Sequence, residues 1–501
     1  MKKSYIFLFL WTMSTVACSD WLDVLPKTSI PEKDLYENEY GFKDVLTGIY
    51  LKMGTTSLYG KELTFGYMDM LAGRYNSAPD VYDWKTVYNY DGSYKSVKNT
   101  FYTDIYNIIA NINNFLHYLD EKREVIKTPL YYETMKGEAL GLRAFLHFDL
   151  LRMFGPVFSQ EPGGGAIPYR LRLDNIATPV LKASEVVEHC LTDLHAADSL
   201  LEKYDTKCFK QDKAVDPFLR LRQFRMNTWA VKAMLARVYC YRGDEEGKTK
   251  ASKYATEVLE AGTFPLAESN NKDPMLIGEH IFSLHIYEMK KVVDEVFINV
   301  DFTRILGVDP SWLTTIYETT RGGASDFRVN RMEFEKRKDP DGSREKSVLL
   351  KYSQNAYHGK YNSVSGVYGG AEQMPLIRIP EMYYILAECD PDKQNSAYYL
   401  DKVRLARAIP AGNSIGGNEV LMGGYDGLDI REDYDQEHTV RINEIMKEYQ
   451  KEYYGEGQLF YFYKRHNYRT FLLCPLGNVR DKYKFPIHEN EIIFGKKGEI
   501  Q

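Results

Sequence analysis

Between Phe65 and Tyr94 the chain interleaves Tyr67, Tyr75, Tyr82, Trp84, Tyr88 and Tyr90 with Arg74, Asn76, Asp80, Asp83 and Asn89. A flat aromatic ring can carry the apolar C–H face of a sugar, while amides and carboxylates meet its hydroxyls. On that ground Trp84, Tyr82, Tyr75, Asn76, Asp80 and Tyr88 are the candidate ligand-binding residues. The same residue types also suit packing between a loop and a helix, because a buried tyrosine needs only a partner for its hydroxyl.

Covalent and metal chemistry find no comparable support. The sequence holds no G-x-S-x-G elbow, no P-loop and no H-E-x-x-H helix. Its ten histidines show no ligand spacing; His189 and His195 fall on different faces of a helix. Glu444, Glu448 and Glu452 alternate with Lys447 and Lys451 at helical spacing, which reads as a solvated, salt-bridged face. A glycosidase needs two carboxyl groups about 5 to 9.5 Å apart across a cleft, a juxtaposition that spacing alone does not establish. The expectation is a binding protein with no catalytic residue, no cofactor and no metal.

Composition bounds the partners. A chain of 501 residues, 44% hydrophobic and 27% charged, can bury one large core or two smaller ones. Its net charge of -6 supplies no basic field for polyphosphate, so nucleic acid is not expected. Six cysteines are Cys18 and five others, Cys190, Cys208, Cys240, Cys389 and Cys474, with no close spacing in sequence. They read as buried small apolar residues. The 40 tyrosines are the unusual feature, suited both to helix packing and to wet recognition surfaces.

The first residues read as a leader: Lys2 and Lys3, an apolar run from Tyr5 to Met13, then Ser14, Thr15, Val16 and Ala17 before Cys18. The run falls short of the roughly 20 residues of a membrane-spanning helix, so residues 1–17 are expected to be a signal peptide and 18–501 the working domain. Ala17 before Cys18 resembles a bacterial lipobox, although Thr15 stands where that motif prefers a larger aliphatic residue. Cys18 is therefore the expected lipidation site, and several acyl chains there would anchor the protein stably. Acidic residues follow at once in "CSDWLD", as in the surface-export signal of Bacteroidetes lipoproteins.

Amphipathic helices dominate what must position these residues. Met135, Ala139, Leu142, Leu146, Leu150 and Met153 line one face of a helix from about Glu133 to Phe154, ended by Gly155 and Pro156. Phe101 to Leu119 forms its expected antiparallel partner. Asn227 to Asp244 and Lys250 to Gly262 form a second pair, and Glu381 to Cys389 with Asn395 to Ile409 a third. A further helix runs from about Thr439 to Tyr454. Alanine-rich pairs with short turns resemble tetratricopeptide units. The expected fold is mainly α, a scaffold of irregular tetratricopeptide-like pairs carrying loop-rich insertions at about 60–98 and 263–375. Loops that long are commonly functional.

The motifs "GEALGLRAFLHFDLLRMFGPV" (Gly137 to Val157), "AMLARVYCYRGD", "IRIPEMYYILAE" and "VRLARA", together with the lipoprotein leader, resemble the SusD/RagB family across nearly the whole chain. The resemblance implies an outer-membrane lipoprotein of Bacteroidetes that captures nutrients for a SusC-like, TonB-dependent β-barrel transporter. It implies a glycan ligand; peptides are the alternative cargo, and a surface glycan-degrading enzyme the alternative from another class. "INEIMKEYQKEYYGEGQLFYFYKR" departs from the usual late helix, with Phe460, Tyr461 and Phe462 in place of a polar run. His488 intrudes in the closing "FPIHENEI", so the chain reads as a divergent branch.

Overall fold

The computed structural model describes residues 32–76, 86–90, 95–203, 205, 217–268, 273–329, 334–353 and 372–494. Cys18, Asp80, Tyr82 and Trp84 lie outside the described residues.

An array of helix pairs forms the scaffold. Helix α1 (Glu39–Met53) starts where Asn38 accepts from the Tyr40 and Gly41 N–H groups. It packs on α2 (Lys95–Glu121), which pairs with α3 (Tyr131–Phe154). Helix α3 stops at Gly155, as expected, and is buried all round. Two glycines make that possible. A Cβ at Gly137 would meet Leu201 Cγ at 2.6 Å, and one at Gly141 would meet Met226 Cγ at 2.6 Å.

The next helices continue the stack. Helix α4 (Ala183–Leu201) packs on α3 and on α5 (Thr228–Arg242), and α5 pairs with α6 (Glu245–Glu260). Asn227 caps α5 and Gly243, at φ 73°, ends it; Asp244 then caps α6 by accepting from the Gly247 N–H. After a short α7 (Pro310–Ile316) come α8 (Pro380–Cys389) and α9 (Lys393–Ala406), capped by Asp392. Helices α10 (Val440–Glu452) and α11 (Leu459–Arg465) follow, and a short helix at Glu489–Phe494 ends the described residues. The mainly helical, tetratricopeptide-like expectation holds.

The insertion at 263–375 carries more order than its sequence suggested. Beyond a small hairpin of β1 (Gly165–Pro168) and β2 (Val180–Lys182), β3 (His280–His285) pairs antiparallel with the distant β6 (Gln373–Arg378), in register His285↔Gln373. Strands β4 (Phe334–Lys338) and β5 (Glu345–Leu349) form a hairpin. Strands β3 and β6 are buried on both faces, so they lack the alternation that marks a half-exposed strand.

The charged ladder of α10 is salt-bridged as expected but not solvated. Glu448 is 0% exposed, Glu452 1% and Lys451 1%. Their partners come from other elements, which helical spacing cannot reveal. Glu452 accepts from Arg407 at 2.8 Å, Arg378 at 2.6 Å and Arg328 at 2.6 Å, while Glu448 accepts from Arg404 at 2.8 Å and Lys451 at 3.0 Å. Glu279, just before β3, meets Arg378 at 3.0 Å and Arg407 at 2.8 Å. Burial alone would raise the Glu452 carboxyl, but the three guanidinium groups outweigh it and hold it well below the usual range. One buried network thus ties β3, β6, α9 and α10 together.

Two buried histidines add a pH dependence. His147 Nδ1 donates to Arg143 O at 2.9 Å and its Nε2 accepts from the Arg170 N–H at 3.0 Å. His280 Nε2 donates to Met275 O at 2.9 Å and its Nδ1 accepts from Ser283. Both rings are locked neutral, and burial pushes each down to about 3 from 6.5. Below about pH 6.5 the unfolded chain takes up protons that the folded chain refuses, so stability is present above that pH and lost below it. Denaturant midpoints should fall from pH 7 to pH 4.5, and His147→Gln should flatten the slope by up to about one proton. An unchanged slope in that variant would contradict the assignment.

Candidate ligand groove beside helix α10

A groove of about 920 Å³ opens between α7, the acidic segment Glu432–Glu437, α10 and residues 468–472. Its half-buried aromatic lining is Trp312, Tyr434 and Phe471, and the buried Tyr468 also borders it. Thr315, Gln436 and Thr470 are exposed along it and offer hydroxyl and amide groups.

Each aromatic side chain is held by a traceable contact. Asp309 precedes Pro310, whose ring fixes φ at the first turn of α7; Leu313 and Ile316 then bury one side of that turn. Tyr434 lies under the Arg431 guanidinium, 4.0 Å from its ring centre, and its hydroxyl accepts from Arg321 at 3.3 Å. Phe471 stacks on Tyr463 with centroids 4.1 Å apart and planes 2° from parallel.

Several charged groups along the groove are paired. Glu318 accepts from Lys447 at 2.6 Å and Lys451 at 2.6 Å, and Asp433 accepts from Arg321 at 2.9 Å. Burial works to raise Glu318, but the Lys451 and Lys447 ammoniums outweigh it and hold the carboxyl well below the usual range. Lys447 is correspondingly raised, against its own burial, by Glu444 and Glu318. Asp435 is lowered as well, with hydrogen bonding to His438 overcoming burial. Glu318, Asp435 and Lys447 stay ionised near neutral pH. A general acid needs the opposite, a carboxyl kept protonated.

The described sequence candidates flank this groove in different roles. Tyr75 is 1% exposed, and its hydroxyl donates to Phe65 O at 2.8 Å. Its ring packs against Tyr454 and Phe297 in the core, so it presents no face to a ligand and the expectation for it is corrected. Asn76 donates to Asp309 Oδ2 at 2.7 Å and accepts from the Asp309 N–H at 2.8 Å. This reciprocal pair pins the start of α7, hence the position of Trp312. Tyr88 donates to Leu473 O at 2.9 Å, beside the Phe471–Leu472 wall. Asn76 is thus fastened at the start of α7 and Tyr88 beside residues 471–472. Asp80, Tyr82 and Trp84 lie within the intervening stretch, outside the described residues.

Sequence reasoning missed Trp312, Tyr434 and Phe471. Trp312 carried the signal used for Trp84: it is one of five tryptophans and follows a helix-starting "DPS" amid threonines. Phe460, Tyr461 and Phe462, which replace the usual polar run, are buried core residues of α11. Among the described residues no group of acidic, histidine and cysteine side chains has the arrangement of a metal site.

Residues 20–240 match a family model described as SusD-like, "Starch-binding associating with outer membrane", and residues 327–491 match one described as the SusD family. A SusD-like protein of Bacteroides ovatus is 21% identical over 330 residues, which is 60% of this chain and 54% of that protein, so the match spans about half of the relative's length. Among solved structures, a SusD superfamily protein from Bacteroides thetaiotaomicron aligns with TM-score 0.64 and 18% identity, covering 91% of this chain and 98% of the other. A SusD superfamily protein from Bacteroides fragilis aligns with TM-score 0.61 and 20% identity, covering 92% and 99%. A SusD-like carbohydrate binding protein from Bacteroides vulgatus has TM-score 0.61 and 18% identity over 86% of this chain and 83% of the other. With family models matched over residues 20–240 and 327–491, together most of its length, this chain belongs to the SusD/RagB family.

Proposed function

We propose that this protein binds an oligo- or polysaccharide at the cell surface and passes it to a SusC-like TonB-dependent transporter. The supporting observation is the groove beside α10, where Trp312, Tyr434 and Phe471 stand among exposed hydroxyl and amide groups. Apolar faces ringed by hydrogen-bonding groups suit a sugar, whose ring is apolar above and below and polar at its edge. Tyr82, Trp84 and Asp80 are further proposed ligand contacts, on the strength of their residue types and spacing alone. On this reading the groove retains substrate without reacting it, which is supported by Glu318 and Asp435 being held ionised where a general acid is kept protonated. Screening the purified protein against a glycan array and a peptide panel tests the ligand class. Glycan hits that compete with one another support the reading; hits confined to peptides would replace it with peptide uptake, and turnover of a bound glycan would replace it with an enzyme.

The anchor we propose is acylated Cys18 in the outer membrane. Cys18→Ala should move the protein from the outer-membrane fraction to the soluble fraction, and mass spectrometry should find lipid on wild-type Cys18 alone. A variant that stays with the membrane, beside an unmodified wild-type cysteine, would refute the anchor.

A further inference from the structure

We propose that Cys240 and Cys389 form a disulfide that staples α5 to α8. The two sulfurs lie 3.7 Å apart, although the residues are 149 positions apart in sequence. A bonded pair sits about 2.05 Å apart, so closure needs a shift of under about 2 Å, within reach of side-chain rotation. The cysteines belong to two helices packed directly on each other, and both are buried, at 5% and 6% exposure. A cavity of about 40 Å³ borders Cys240, leaving its sulfur room to move.

Arg465 Nη1 donates to Cys240 Sγ at 3.0 Å and to Cys240 O at 3.1 Å, and Cys389 donates its S–H to Cys240, so the folded structure holds the two sulfurs side by side. One of the two thiols opens the exchange and the other resolves it. The oxidant is an external disulfide, either a thioredoxin-like protein or a small-molecule disulfide. The opening cysteine, as its thiolate, attacks one of its sulfurs, forming a mixed disulfide and releasing one thiolate. The other cysteine, deprotonated to solvent, then attacks the protein sulfur of that mixed disulfide, forming the Cys240–Cys389 bond and releasing the second thiolate. Two protons and two electrons leave the protein, and the external disulfide becomes two thiols. Because the sulfurs are buried once α5 and α8 have docked, this exchange occurs while the chain is still closing.

The test is independent of the ligand and of the membrane anchor. Full-length protein is unfolded, reduced, refolded in a glutathione redox buffer, and alkylated in denaturant without reductant. Trypsin should then yield Val238–Arg242 linked to Ile379–Lys393, at a mass two hydrogens below the sum of the two peptides, and dithiothreitol should separate them. Reduction should lower the melting midpoint of the wild type by about 5–10 °C but leave the Cys240→Ala/Cys389→Ala variant unmoved. Alkylation of both cysteines before reduction, even with oxidised glutathione in excess, would overturn the proposal. So would linkage of either cysteine to a different one.

Discussion

Glu452→Gln should be the most damaging single change of near-identical size in this protein, lowering stability by about 3–5 kcal/mol. Glu452 is the meeting point of three guanidinium groups, those of Arg328, Arg378 and Arg407, each of them at most 1% exposed. The amide keeps the shape but removes the charge, leaving buried arginines short of a counter-charge. That loss is a large share of the roughly 5–15 kcal/mol that holds a typical domain together. Glu245, paired with Lys248 on the surface of α6 at 92% exposure, provides the contrast. Glu245→Gln should leave the melting midpoint where it was, because exposed ion pairs are screened. Equal, small effects from both changes would show that the network does not hold α10 in place.

Trp312→Ala is expected to weaken ligand binding by about tenfold or more, equivalent to at least about 1.4 kcal/mol, because half-buried aromatic anchors dominate recognition surfaces. Trp312→Phe should recover part of the affinity by keeping a ring on α7. Tyr82→Ala/Trp84→Ala should add to the loss, with little change in melting midpoint if those rings face the ligand. Asn76→Ala should weaken binding indirectly, through the lost reciprocal bonds to Asp309 that fix the start of α7. Calorimetry of all four proteins on one oligosaccharide separates these contributions. Wild-type affinity in a stable Trp312→Ala protein would place the ligand elsewhere.

The helical scaffold was legible because its signals are local. Asn227 caps α5, Gly243 ends it and Asp244 caps α6, each sitting at the boundary it marks, and the apolar spacing from Met135 to Met153 declares α3 without reference to the rest of the chain. The β3–β6 pair was not legible, since its strands are far apart in sequence and buried on both faces. Helix α10 shows the same limit in another form. Its Glu and Lys residues have the spacing of a solvated ladder, and only arginines from β6, α9 and the segment near Arg328 turn that ladder into a buried hub.

The site was read in part for a related reason. Aromatic residues among polar ones marked the stretch around Trp84, yet Tyr75 in that stretch packs in the core and Asn76 serves as a strut. The groove itself is assembled from residues 312–321, 432–437, 446–450 and 468–477, four segments whose meeting depends on the tertiary fold. No window of sequence contains it.

The central claim is that a glycan lies in the groove beside α10. A crystal structure with an oligosaccharide identified by the array tests it most directly. We expect sugar density along the groove, with a ring on the face of Trp312 and hydroxyls within hydrogen-bond distance of Gln436 or Thr470. Sugar bound at full affinity outside the space between α7 and α10, with Trp312 free of it, would contradict the account.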